Sequence, residues 1–262
     1  MKNKIYAAIR VIIILLSVLP LLTSCSGGDA QIKAIRDRSV LRVGVKVDVP
    51  RFGYLNPDTA EMEGLEVDLA RVIAKDILKD EGAVKFVNIN AQTRGPLLDN
   101  GEIDIVIATF TITEERKKSF NFSRPYYTDE LGYLVRSEAS VTRPEELDGK
   151  TVGVTQSSTA KTAYEEERKR MGVGADMREY ASYPEVKAAL LSGEVDAFVT
   201  DKSILYGYLD GACALLNEGF NPQHYGIASK LENDKLASHI EALLETMEKN
   251  GELAALLAKW EL

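Results

Sequence analysis

The sequence predicts an α/β protein whose two lobes face a common cleft, and three observations carry that expectation. Apolar runs suited to strands alternate with helical apolar stripes over the chain beyond residue 40. A helix–glycine–strand unit at Leu97–Ile107 is echoed at Leu190–Val199. Of 262 residues, 45% are apolar and 27% charged, with 19 Gly and 8 Pro, which suits a packed soluble globular body. That length allows one large or two small domains with a sizeable core. The composition excludes a disordered, collagenous or disulfide-framework protein.

The elements follow in order. Leu41–Val47 alternates apolar and polar residues and reads as a strand. From Gly64 to Lys79 the apolar positions 65, 69, 72, 73 and 77 form a helical stripe. Val84–Asn88 reads as a short strand and Thr93–Asn100 as a short helix. Ile103–Ala108 is a continuous apolar run after Gly101, as a buried parallel strand requires. Thr113 is placed to cap a helix through Ser119, with Glu114 and Glu115 in the first turn, where carboxylates are favoured. Leu131–Arg136 is extended. A second set predicts strands 151–154 and 196–200 and helices 159–170, 184–192 and 201–210. Tyr225–Ala228 reads as a strand, and helices fill 233–249 and 251–259.

The echo sets the architecture. Leu97-Leu98-Asp99-Asn100-Gly101-Glu102-Ile103-Asp104-Ile105 recurs as Leu190-Leu191-Ser192-Gly193-Glu194-Val195-Asp196-Ala197. One copy runs into Thr109 and Thr111, the other into Thr200 and Asp201. Open α/β sheets bind ligands outside the carboxyl ends of their strands. Two such units therefore suggest two lobes presenting short polar residues to one cleft.

Charge and motifs narrow the function. With 32 Lys plus Arg against 40 Asp plus Glu, the net charge is −8. Such a body repels a phosphate backbone, so no nucleic-acid partner is expected. Two Cys and two His are too few for a structural zinc site, and no metal or cofactor is expected. The chain lacks a Gly-x-Ser-x-Gly elbow, His-Glu-x-x-His, a phosphate loop and Gly-x-Gly-x-x-Gly, so no enzyme is predicted.

The first 25 residues read as an export signal: Lys2, Lys4 and Arg10 precede the apolar run Val11–Leu22, which is short for a membrane span. Leu22-Thr23-Ser24-Cys25 resembles the bacterial lipoprotein box, implying lipidation of Cys25; an ordinary signal with a chance Cys is the plainer alternative. Residues 26–39 are expected to be a tether. Removing Lys2, Lys4 and Arg10 takes the net charge from −8 to −11. Cys213 then stands alone in the folded part and reads as a buried residue rather than a nucleophile. The protein is expected outside the cytoplasm, held to the membrane by lipid alone.

Charges and hydroxyls cluster at element ends: Lys46, Arg94, Thr111, Arg116, Ser158, Thr159 and Asp201. The run Thr111-Ile112-Thr113-Glu114-Glu115-Arg116-Lys117-Lys118, followed by Phe122-Ser123-x-Pro125-Tyr126-Tyr127, resembles the signature of the polar-amino-acid solute-binding proteins (family 3) of ABC importers. Leu41–Val45, Gly64–Ala70, Leu147–Val154 and Tyr225–Ala228 match the same family in order, across the whole mature domain. Asn90–Leu98 and Asp201–Leu205 are similar to its aspartate/glutamate-binding branch.

The resemblance implies a two-lobed periplasmic-binding-protein-like fold (type II). In it each lobe is a sheet flanked by helices, joined by two hinge crossings. It implies that Arg116 holds a ligand α-carboxylate in a fork. The Thr111 hydroxyl and Thr109 backbone would meet the α-amino and carboxylate groups, and Asp201 the ammonium. Ser158 and Thr159 would donate to the α-carboxylate. Where relatives stack an aromatic on the ligand this chain has Val49, so Phe52, Tyr54 or Tyr183 are the candidate apolar walls.

Lys46, Arg94 and Arg116 against Asp201 give the site a net charge of +2. An acidic amino acid matches each of its groups with an opposite charge. Glutamine would leave two cations without a partner, at several kcal/mol if desolvated. The plain alternative for each cation is a solvated surface charge.

The expected organisation is lobe one at 40–131 plus 224–262 and lobe two at 136–220, with hinge crossings near Gly132–Val135 and Pro222–Gly226. The expected function is capture of L-aspartate or L-glutamate by lobe closure. The liganded monomer would deliver its cargo to an ABC permease driven by a separate ATPase. The alternatives are another polar amino acid such as glutamine, a periplasmic cyclic-carboxylate dehydratase on the same fold, or a sensory or adhesive lipoprotein.

Overall fold

A computed structural model describes residues 27–262. The expected signal segment and Cys25 lie outside the described residues. The described residues open with helix α1 (Gly27–Asp37), where the sequence predicted a tether over 26–39. Ile35 is fully buried, and Gln31 Nε2 donates to Asp104 Oδ1 at 2.9 Å. The helix packs against the long C-terminal helix Asp234–Asn250, so apolar burial overrides the linker-like Gly-Gly-Asp start.

The first sheet joins β1 (Leu41–Val45) in parallel to β5 (Val84–Asn88) and β6 (Ile105–Val106). Antiparallel β14 (Ala228–Lys230) and β7 (Phe120–Phe122) complete it in the order β5-β1-β6-β14-β7. A small sheet of β2 (Asp48–Val49), β3 (Gly53–Leu55) and β4 (Met62–Glu63) follows β1 and was not anticipated. Helix α2 (Leu65–Leu78) buries Leu65, Leu69, Ile73 and Ile77, the predicted stripe, at four-residue spacing. Gly64 precedes it at φ 124°, where a Cβ would stand 2.0 Å from Phe52 O, so only glycine turns the chain there.

The second sheet runs β10-β9-β11-β8-β12, with β13 also pairing to β8. These are β8 (Tyr127–Arg136), β9 (Thr151–Thr155), β10 (Asp176–Tyr180), β11 (Ala197–Asp201), β12 (Cys213–Leu215) and β13 (Phe220–Tyr225). The two sheets with their flanking helices make a two-lobed periplasmic-binding-protein fold; one cluster of buried apolar side chains runs through both lobes, and a smaller one lies within each. Cys213 is buried, with Lys187 Nζ 3.0 Å from its sulfur.

The internal echo extends to individual bonds. Gly101 and Gly193 both follow helices and take left-handed φ values of 71° and 77°. The aspartates that follow hold matching places: Asp104 N–H donates to Arg42 O and its carboxylate accepts from Arg42 N–H, while Asp196 does the same with Thr151. Each therefore clamps its strand to a parallel neighbour, β6 to β1 and β11 to β9.

The first crossing lies elsewhere than expected, and the second adjoins the expected Pro222–Gly226. Gly132–Val135 sits inside β8, opposite Ala197–Thr200 of β11, and crosses nothing. The chain leaves the first sheet through residues 123–126 and returns through 226–227. The two crossings bond to each other through Ser123 N–H to Ile227 O and Tyr126 N–H to Tyr225 O, both at 2.9 Å. The single strand predicted over Tyr225–Ala228 is thus the end of β13, a crossing and the start of β14. We place the hinge at these crossings and the lobe boundary at Tyr126, because β8 pairs in the second sheet along its whole length.

Candidate functional site

The carboxyl ends of both sheets face each other, and most of the predicted residues meet there. Lys46 directly follows β1 and is buried; its ammonium donates to Thr109 Oγ1 and, at 2.7 Å, to the Tyr183 hydroxyl across the cleft. Tyr183 opens helix Tyr183–Ser192 in lobe two, where Ser182 caps the first turn. The Lys46 ammonium also stands 4.6 Å from the Tyr183 ring centroid. Lysine and tyrosine thereby close one side of the cleft.

Arg94 begins the helix Arg94–Asp99, and Arg116 stands on the short helix Glu114–Lys117 that Thr113 caps as expected. Both guanidiniums lie over the Phe110 ring, at 3.9 Å for Arg94 and 4.7 Å for Arg116. The ring face stabilises cations while offering them no counter-charge. Arg116 Nη1 donates to Thr111 O at 2.7 Å and Nη2 reaches Ser157 O in lobe two at 3.4 Å. Among the described residues, none of Lys46, Arg94 and Arg116 has a carboxylate within ion-pair distance.

Burial is the first cause that pushes the Arg94 pKa down to about 10. For Arg116, burial and then the neighbouring Arg94 charge bring it down to about 9. Asp201 ends β11 with Oδ1 buried and unpartnered. Burial, followed by the nearby Asp129 charge, raises its carboxyl to about 6, against the pull of Lys46. Two crowded guanidiniums thus face a carboxylate with a free oxygen.

Four predicted contacts differ in detail. The Thr109 N–H is taken by Glu66 Oε1, at a left-handed φ of 43°, so the Thr109 amide is not free for a ligand. Ser158 Oγ donates to Thr155 O at 2.7 Å, closing its own turn. Thr111 and Thr159 both donate to the side-chain oxygen of Gln223. Of the candidate apolar walls, Tyr183 is in place, whereas Phe52 packs on Tyr127 and Tyr225 in the core.

The residues that sequence reasoning missed are Glu66, Phe110 and Gln223. Glu66 is fully buried on α2; Oε1 accepts from Thr109 N–H and Tyr126 OH while Oε2 has no partner. Burial raises its pKa, and hydrogen bonds from Tyr126 and Thr109 and the charges of Lys46 and Arg94 oppose that rise. An ionised Glu66 lowers the net charge of the site from the expected +2 to +1.

The lobes are closed on one another. Gln92 meets Gln156 across the cleft, and Tyr208 OH donates to Asp48 O at 2.6 Å. A cavity bordered by Lys46, Asp48, Asn90, Thr155 and Tyr183 retains about 10 Å³. A wider cleft of about 740 Å³, bordered by Arg51, Tyr127, Asp129, Lys202 and Tyr206, holds none of the predicted ligand residues. Charge convergence, not volume, marks the site.

The family model described as bacterial extracellular solute-binding proteins, family 3, matches residues 41–262. The ABC transporter glutamine-binding protein GlnH of Bacillus subtilis is 38% identical over 230 residues, covering 87% of this chain and 83% of that protein. The glutamate-binding protein GluB of Corynebacterium glutamicum is 33% identical over 253 residues, covering 91% of this chain and 84% of that protein. Among solved structures, the ancestral amino acid-binding protein AncCDT-1, a precursor of cyclohexadienyl dehydratase, superposes with a TM-score of 0.77 at 29% identity. That match covers 87% of this chain and 98% of the ancestral one.

Proposed function

The chain belongs to the bacterial extracellular solute-binding proteins of family 3 and is the amino-acid-binding component of an ABC importer; from that premise we propose that its cargo is an acidic amino acid, L-aspartate or L-glutamate. The observation that carries the reading is the convergence of Lys46, Arg94 and Arg116 with no carboxylate paired to any of them among the described residues. With Asp201 and Glu66 ionised the site holds +1, and an acidic amino acid, net −1, neutralises it. A neutral ligand leaves that charge buried, which costs several kcal/mol in a closed cleft.

In this reading the Arg116 guanidinium grips the α-carboxylate, and Arg94 and Lys46 share the side-chain carboxylate. Asp201 Oδ1 takes the ammonium. Groups from both lobes contact the ligand only in the closed form, so binding shifts the open–closed population toward closure. A permease then reads the closed shape, and a separate ATPase supplies the energy. Anchoring through lipid on Cys25, a monomeric state and an extracytoplasmic location complete the proposal; no helix among the described residues is long and apolar enough to cross a membrane.

Glutamine is the second reading, because the 38% identical relative is named as a glutamine-binding protein. Mass spectrometry of the small molecule released from protein purified out of its own organism distinguishes the two. Glutamate or aspartate is expected; glutamine or a basic amino acid overturns the acidic reading.

The Asp201 pairing makes affinity depend on pH. Its raised pKa means that the carboxyl takes up a proton as pH falls through about 6, and a neutral carboxyl loses the ammonium. The ligand carboxylates remain ionised in that range. Affinity for L-glutamate therefore drops on going from about pH 7.5 to about pH 5, by up to about tenfold per unit below the pKa. Calorimetry across that range checks it, and Asp201→Asn is expected to bind weakly with a flat profile. A wild-type profile without a fall contradicts the role of Asp201.

A further inference from the structure

Hydrogen-bond accounting at Gln223 reaches beyond these roles. Gln223 lies on β13 and is only 1% exposed. Its Nε2 stands 2.9 Å from Asn221 O and 2.7 Å from Asn221 Oδ1. A backbone carbonyl only accepts, so the amide nitrogen must face Asn221 and the amide oxygen must face the other way. That oxygen receives Thr111 Oγ1 at 2.8 Å and Thr159 Oγ1 at 2.7 Å. Each hydroxyl carries one proton, and both protons are spent on Gln223. Only oxygen lone pairs remain on Thr111 and Thr159 to face a ligand.

The local backbone serves this arrangement. Asn221 takes a left-handed φ of 48° at the register shift between Phe220 and Pro222. Such a conformation is uncommon for a residue with a side chain and is more readily adopted by asparagine than by most others. It supplies the two acceptors that hold the Gln223 amide. Thr111 belongs to lobe one and Thr159 to the first turn of Thr159–Met171 in lobe two, so one oxygen joins both lobes.

We propose that Gln223 is a positioning residue with two linked effects: it latches the closed form through Thr111 and Thr159, and it fixes both hydroxyls as acceptors, so that they recognise a ligand ammonium and not a carboxylate. This rests on the preceding reading and adds to it that Thr111, whose carbonyl holds Arg116, and Thr159 border the bound amino acid. It reverses the role that family resemblance implies for the Thr159 hydroxyl, donation to the α-carboxylate. It also makes selection for a free α-amino group a property of a residue that itself touches no ligand.

Calorimetry on the full chain with L-glutamate and with glutarate, the same dicarboxylate without its ammonium, tests the proposal. Gln223→Leu frees both hydroxyl protons. It is expected to weaken L-glutamate at least tenfold while changing glutarate less than threefold, so that the preference for the amino compound falls at least threefold. A purely structural role would weaken both probes equally, and equal losses overturn the proposal. Thr159→Val, which removes one donor with little change of shape, provides a second measurement on L-glutamate alone. The loss from Thr159→Val is expected to be smaller in the Gln223→Leu background than in the wild type, because the two single variants remove one shared bond; fully additive losses overturn the latch. Failure of the acidic reading is separable: a wild-type protein that ignores L-glutamate and binds L-glutamine refutes that reading, and the same ratio is then measured with L-glutamine and glutaramate.

Discussion

Arg116→Ala is expected to cripple capture of every amino acid, lowering affinity for L-glutamate, L-aspartate and L-glutamine alike by at least about thirtyfold. Truncating one partner of a buried hydrogen-bonded charge pair costs about 2–5 kcal/mol, which sets that scale. The α-carboxylate is common to all these ligands, so the loss is uniform. Geometry supports the assignment: the guanidinium is oriented by Thr111 O, seated over Phe110 and turned toward Ser157 O of the opposite lobe. A lysine there keeps the charge but not the fork, so Arg116→Lys should restore only a small part of the affinity. Calorimetry on both variants decides the matter, and a loss confined to acidic ligands contradicts the role.

Lys46→Met is expected to separate ligands by charge. Its ammonium is held by Thr109 Oγ1 and the Tyr183 hydroxyl, which leaves one of its three protons for a ligand. Removing the charge costs the acidic ligands a charge-assisted bond of roughly 1.5–3 kcal/mol, about a ten- to hundredfold loss. Glutamine, with no side-chain carboxylate, is expected to change less than about threefold. Methionine fills the same space and keeps the buried stem packed. Equal losses for glutamate and glutamine contradict the division of labour between Lys46 and Arg116, and so does no loss for either.

Much of the fold was legible in the sequence because its signals are local. The stripe on α2, the Thr113 cap and the glycine stops at Gly101 and Gly193 each act over a few residues. The repeat carried more than shape, since Asp104 and Asp196 perform the same clamp in both lobes. Elements were misread where tertiary packing overrode local character. Residues 27–37 begin like a linker and end as a buried helix; Gly132 reads as a pivot, yet it lies mid-strand where Lys202 packs over it.

The site divides in the same way. Lys46, Arg94, Arg116 and Asp201 were legible as charges at element ends, where strands deliver side chains to a cleft. Glu66 and Gln223 were not, because each acts through partners distant in the chain, and Phe110, between two threonines, carries no mark of the two guanidiniums above its ring. Gln223 meets Thr111 and Thr159 across 112 and 64 residues, and Glu66 meets Thr109 across 43. A buried glutamine in a strand gives no pattern that marks it, whereas a cation beside a predicted cleft does.

Calorimetric titration of the wild-type protein with L-glutamate, L-aspartate, L-glutamine and L-arginine at neutral pH is the most direct test. If buried cations outnumber their counter-charges for the sake of a second carboxylate, one site saturates with L-glutamate or L-aspartate at least tenfold more tightly than with L-glutamine, and L-arginine gives no heat. Tighter binding of L-glutamine or L-arginine than of either acidic amino acid contradicts the account.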